Sequence, residues 1–357
     1  MDNTNQRKAL INGEIGLFLR GLIIGKVLTL MVIGGLLWWL LKPNLASRSS
    51  VNSSNQNFNT LSSTGSTFQT VADVPTDSFN YGGSTAWASI RQLVDSQIQS
   101  DRPELQLRYV NPVNDSPGSS SGIRMLLDGK LDFVQSSRPL TDEEQAMAKE
   151  RGFTLEQRQV GRDGIAVVVN PSLNVPGLTV EQLQQIYLGK ITNWNQVGGP
   201  NLAITPFSQR PKDADTVIFS SNSDLKGQTL GSNVQYVYST TEAVRQLSKT
   251  PGGVYYASAR SVLPQCSVKA LPLGSTSDQL VPPYREPLVS SEQCPRERNQ
   301  LNTQAIKDGS YPMIANLFVI IKQNKGREQQ IGDAYSKFLL TDQGQRAIEQ
   351  AGFVGVP

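Results

Sequence analysis

The sequence predicts an α/β fold preceded by one N-terminal transmembrane helix. Two observations carry this. From residue 78 onward, short strand-like runs alternate with helical patterns. Before them stands an apolar run at residues 21–41 whose one charge is Lys26. A third observation is an absence: the chain has no histidine.

The elements follow in order. Residues 1–20 are polar, carry Arg7, Lys8 and Arg20, and are expected to stay in the cytoplasm. At 1.5 Å per residue, a helix over 21–41 spans about 30 Å, one bilayer core. Lys26 lies near the cytoplasmic end, where its ammonium can snorkel, and Trp38 and Trp39 stand where an aromatic belt belongs. Basic residues are denser before the run than after it, which directs the rest of the chain outward. A cleaved signal peptide is the rival reading. The sequence after Leu41 makes a poor cleavage site, so an uncleaved single-pass anchor is favoured. The reading places the C-terminal domain on the periplasmic or extracellular side of a cell membrane, with the lipid bilayer as a partner through 21–41.

Residues 42–77 are expected to form a flexible linker. From Ser47 the segment is dominated by Ser, Thr and Asn, with scattered apolar residues. Beyond it, Leu105-Gln-Leu-Arg-Tyr-Val110 alternates like a strand and 122–131 reads as a helix. Asp132-Phe-Val reads as a short strand and 141–151 as a helix. The continuous apolar runs at 164–170 and 316–322 read as strands buried on both faces. Thr179 caps a helix to Leu188, and 326–351 reads as two helices broken near Thr341-Asp342.

Composition narrows function. The net charge of +3 comes with no dense basic run, so a nucleic-acid partner has no electrostatic footprint. Without histidine there is no Ser-His-Asp or Cys-His catalysis and no imidazole metal site. Two cysteines are too few for a thiolate zinc centre. No cofactor, metal or catalytic residue is expected. Cys266 and Cys294 lie in one loop-like stretch on the predicted oxidising side and are expected to pair.

Three Gly/Ser/Thr-rich loops each join a strand to a helix: Tyr81-Gly-Gly-Ser-Thr-Ala-Trp87, Ser116-Pro-Gly-Ser-Ser-Ser-Gly122 and Gln135-Ser-Ser-Arg-Pro139. Helix starts expose unpaired N–H groups, and small residues let an oxyanion approach them. One such loop is more often a simple cap. Three in series at strand C-terminal ends point to one anion held by converging loops.

From about Asn80 to Pro357 the sequence resembles the phosphate-binding proteins of ABC-type phosphate importers. The matching pieces include Gly83-Ser84-Thr85, Gly118-Ser-Ser-Ser-Gly122 and Asp132-Phe-Val-Gln-Ser-Ser-Arg-Pro-Leu140. Ile186-Tyr-Leu-Gly-Lys-Ile-Thr-Asn-Trp194, Gly253-Val-Tyr-Tyr256, Tyr311-Pro-Met and Gly344-Gln345 follow in order. The resemblance implies a two-lobe periplasmic-binding-protein-like fold with the anion in the cleft. Lobe I would be 78–165 plus 320–357 and lobe II 166–319, with crossover strands near 166–170 and 317–321. It implies capture of inorganic phosphate or a similar small anion, an ABC permease as partner, and no enzymatic activity. It assigns ligand contacts to Thr85, Ala86, Ser119, Ser137, Arg210 and Thr216.

The sequence departs from the family just after Arg210. A Gly-Ser-Gly-Thr run is usual there, and this chain has Asp213-Ala214-Asp215-Thr216. Two carboxylates repel an anion, unless Asp213 or Asp215 accepts the proton that phosphate retains and sulfate lacks, which would make them selectivity residues. The competing expectation is a tethered binding module or sensor of the same fold, for another ligand, with phosphate binding weakened or lost.

Overall fold

The structure is a computed structural model, and it describes residues 65–210, 229–294 and 296–356. The expected anchor at 21–41 lies outside these residues. Among the described residues no helix is long and apolar enough to cross a membrane.

The first strand, β1 (Asp77–Gly83), leads into helix α1 (Ala88–Asp101), and β2 (Leu105–Tyr109) into α2 (Ser119–Leu127). Then come β3 (Phe133–Ser136), α3 (Asp142–Glu150) and the long β4 (Thr154–Val169). Beyond β4 run β5 (Leu178–Thr179), α4 (Val180–Tyr187), β6 (Thr205–Gln209), β7 (Gln235–Val237) and α5 (Thr240–Leu247). They are followed by β8 (Gly253–Ser258), α6 (Ala259–Val262), β9 (Lys269–Leu271), β10 (Leu273–Gly274) and α7 (Thr303–Lys307). The chain closes with β11 (Ile314–Gln323), α8 (Arg327–Leu340), α9 (Asp342–Gln350) and β12 (Val354–Gly355).

Eight strands run in the order β2-β1-β3-β11-β4-β8-β6-β7, and β9 and β12 also pair with β4. The flanks are parallel: β1 with β2 and β3 on one side, β6 with β7 and β8 on the other. Antiparallel β4 and β11 join the two strand groups. The first half of β4 pairs with β11 up to Gly164, and Ile165 to Val169 pair with β8. The chain therefore passes between the groups at Gly161–Gly164 and Ile314–Leu317. Both stretches precede the expected crossovers. Residues 166–169 already pair inside one group, and Phe318–Ile321 pair with β3 inside the other.

The apolar core divides along the same line. One cluster gathers buried residues from Ile165 to Ala315, joined by Val354 of β12, around Trp194, Tyr187 and Phe207. Two others gather residues from Phe68 to Val160 and from Leu317 to Phe353.

The helix boundaries follow cap chemistry. Thr141 accepts from the Glu144 N–H while Glu144 accepts from the Thr141 N–H, a reciprocal box that starts α3. Thr179 and Gln182 do the same for α4. Thr341 ends α8 in extended geometry and caps α9 through the Gly344 N–H.

Part of the expected linker is ordered, and the 42–77 boundary is corrected accordingly. Phe68 is fully buried, with its ring edge-on to Phe338 at 5.6 Å between centroids. Its N–H donates to Gln343 Oε1 (2.9 Å), the Ser66 N–H donates to Asp342 (2.7 Å), and Arg102 donates to the Val71 carbonyl (2.7 Å). Average composition obscures this, because two well-placed apolar residues, Phe68 and Val71, anchor an otherwise polar stretch. Cys266 and Cys294 form a disulfide with Cα atoms 5.6 Å apart, within the usual span.

Candidate functional site

The three glycine- and serine-rich loops meet at one place. Gly82, Gly83 and Gly122 bring them together by having no side chain. A Cβ on Gly122 would lie 2.5 Å from the Gly83 Cα, and one on Gly83 would lie 2.2 Å from the Gln135 carbonyl. Gly83 also has φ of 116°, a conformation open to glycine. Helix α2 can thus press its first turn against the end of β1, next to the end of β3.

The hydroxyls then interlock. The Ser137 N–H donates to Ser119 Oγ (3.0 Å), and the Ser137 and Ser84 hydroxyls share a short hydrogen bond. Ser84 Oγ also accepts from the Ala86 N–H (3.2 Å), and the Ser84 N–H donates to the Gln135 carbonyl (2.8 Å). One residue from each loop, Ser84, Ser119 and Ser137, is therefore hydrogen-bonded into a single buried cluster. Thr85 and Ala86 follow directly in the 3-10 turn that opens α1.

A second layer fixes these loops from behind. Arg138, next to Ser137, is buried and donates to both oxygens of Glu144 (2.6 and 3.0 Å) and to Ser120 Oγ (2.8 Å). Arg91 Nη1 donates to the Ser84 carbonyl and to Gln135 Oε1, both at 3.0 Å, and its guanidinium lies 4.0 Å above the Tyr109 ring. Gln135 donates in turn to the Tyr335 hydroxyl (2.7 Å). Asp95 accepts from the Tyr81 and Tyr335 hydroxyls, and burial pushes its carboxyl up to about 6.

The other strand group contributes the end of β6. Ser208 shares a hydrogen bond with the Tyr256 hydroxyl (3.2 Å), and the Tyr187 hydroxyl donates to the Phe207 carbonyl (2.9 Å). Burial raises the Tyr256 phenol to about 12, so it stays a neutral donor. Arg210 is exposed at the end of β6. Asp213, Asp215 and Thr216 lie outside the described residues. The two groups meet directly where Ser116 Oγ donates to the Tyr238 carbonyl (2.9 Å) and the Tyr238 hydroxyl donates to the Asp115 carbonyl (3.2 Å).

Of the sequence-predicted residues, Ser119 and Ser137 are brought into contact, and Thr85 and Ala86 flank the same cluster. Ser84 is the residue the reading passed over. It belongs to the quoted Gly83-Ser84-Thr85 piece, but its pairing with Ser137 depends on tertiary packing. Tyr238 carried no local signal. Neutral hydroxyl and amide donors suit an oxyanion and supply no nucleophile–base pair. Among the described residues no group of three metal-ligating side chains occurs.

A model of the PBP superfamily domain matches residues 70–343. The phosphate-binding protein PstS of Staphylococcus haemolyticus is 25% identical over 288 residues, covering 77% of this chain and 80% of its own length. PstS of Staphylococcus saprophyticus is 25% identical over 249 residues, covering 67% of this chain and 70% of its own. The crystal structure of an ABC-type phosphate transport receptor from Vibrio cholerae superposes with a TM-score of 0.56 at 23% identity, over 78% of this chain and 100% of that one.

Proposed function

The chain belongs to the PBP superfamily, and on that premise we propose that it captures phosphate outside the cytoplasm and delivers it to an ABC-type permease. The observation that carries this reading is the hydrogen-bonded meeting of Ser84, Ser119 and Ser137 at three strand–helix turns. A tetrahedral anion needs donors converging from several directions, and these loops supply them. The names of the staphylococcal relatives support the ligand assignment.

In this reading, lobe I comprises 78–165 with 320–357, lobe II comprises 166–319, and the anion sits between them. Thr85, Ala86, Ser119 and Ser137 contact it from lobe I, and Arg210 and Thr216 from lobe II. Arg210 meets it with a planar fork of donors. Asp213 or Asp215 supplies the acceptor that tells protonated phosphate from sulfate. The segment 21–41 anchors the chain in the membrane, on the outward side of which the binding domain works.

The residue assignment is tested by titrating phosphate into the Arg210→Ala variant. Affinity is expected to fall by about 2–4 kcal/mol, because a charge-assisted pair is lost from the closed cleft. Thermal stability should change little, since Arg210 is exposed without ligand. Unchanged affinity would remove Arg210 from the site.

A further inference from the structure

Beside the anion loop lies a cavity of about 960 Å³ that a single tetrahedral ion does not need. Thr85, Ala86 and Ser89 line one wall. The lining also includes Arg260, Arg285, Arg298 and Lys307, all from the chain beyond β8. Lys307 is neutralised by Glu349 at 2.9 Å. The three arginines form no salt bridge with a carboxylate among the described residues, although the Asp163 carboxyl lies near enough to Arg260 to feel its charge.

Two of these arginines are held in place. Arg298 Nη1 donates to the Pro264 carbonyl (2.9 Å) and to Cys266 Sγ, so the Cys266–Cys294 disulfide fixes the strap that carries it. Arg260 lies against Gly352, where a Cβ would sit 3.0 Å from its Nε. Like charges gathered on one concave wall repel each other unless an anion joins them.

Building on the phosphate-site reading, we propose that the cleft also takes a larger ligand class: anions with two or more phosphoryl groups. One phosphoryl group seats at the Thr85–Ala86 turn, which lines this cavity and adjoins the serine cluster, and the next on Arg260 and Arg298. Guanidinium forks match phosphoryl oxygens in geometry, and weak hydration makes arginine the suitable cation for such a wall.

The test is calorimetry of the full chain with inorganic tripolyphosphate and, separately, with orthophosphate, on the wild type and the Arg260→Ala/Arg298→Ala variant. Tripolyphosphate should bind the wild type about tenfold or more tighter than orthophosphate, and the variant should lose at least that factor. Orthophosphate affinity should be the same in both proteins, which shows that the variant is folded and its serine cluster intact. Tripolyphosphate binding no tighter than orthophosphate, or unmoved in the variant, overturns the inference and leaves the phosphate reading standing. Arginine-dependent tripolyphosphate binding without orthophosphate binding supports the inference and overturns the reading of orthophosphate as the transported ligand. A conservative Arg260→Lys/Arg298→Lys variant, which keeps charge but loses the fork, should fall between the two.

Discussion

Arg138 shows how one residue ties the fold to the site. It follows Ser137, whose N–H bonds Ser119, and its guanidinium grips both oxygens of Glu144. Glu144 also closes the α3 capping box through the Thr141 N–H. Both partners are buried, so removing one leaves an uncompensated charge. Arg138→Met is expected to cost about 3–5 kcal/mol in urea unfolding. Arg138→Met combined with Glu144→Gln should recover a large part of that, because Gln keeps the cap without the charge. A single variant as stable as wild type would show that the pair does not hold the third loop.

Which residue types gather at the three turns was legible in the sequence, because glycine, serine and threonine at strand–helix turns announce free N–H groups and close backbone approach. Which hydroxyl meets which was not. The Ser84–Ser137 contact joins residues 53 positions apart, and it arises from β1 and β3 being neighbours in the sheet. Local pattern contains no such information.

At the scale of an element, β4 is the instructive case. Its apolar half announces a strand, and residues 163–169 are indeed buried without interruption. Its first half carries Glu156, Gln157, Arg158 and Gln159 on partly exposed positions, and only pairing with β11 makes it a strand. Helix starts are more legible, since Thr141, Thr179 and Thr341 act within a few residues of themselves.

Between the two halves of β4 sits Asp163, almost wholly buried where the chain passes from one strand group to the other. Its Oδ2 accepts from the Ser258 hydroxyl, and the Gly164 and Arg260 backbone N–H groups face the carboxyl. Burial pushes the carboxyl up to about 7. The folded state therefore holds a proton that the unfolded chain releases near pH 4, and between about pH 4 and 7 this group makes the protein less stable as pH rises. Asp163→Asn removes that dependence. The melting-temperature advantage of Asp163→Asn over wild type should grow from pH 4.5 to about 7 and then level off. A difference that stays constant across this range would show that Asp163 does not titrate there.

At the scale of the whole molecule, two strand groups share one sheet, with one apolar cluster on one group and two on the other. Antiparallel β4 and β11 run through both strand groups, and Ser116 and Tyr238 touch across from one group to the other. The chain crosses between the groups at Gly161–Gly164 and Ile314–Leu317. Composition alone misread the Phe68 segment, whose order depends on the partner surface at Phe338, Asp342 and Gln343. In the proposed function, the two crossing strands serve as the hinge and the three loops as the anion seat.

The most direct test of that account is isothermal calorimetry with phosphate and sulfate titrated separately into the full chain at neutral pH. Saturable binding of one phosphate per chain is expected, with much weaker binding of sulfate if the acceptor proposed at Asp213 or Asp215 takes the proton that phosphate still carries. No heat of binding with phosphate, or equal affinity for both anions, would contradict it.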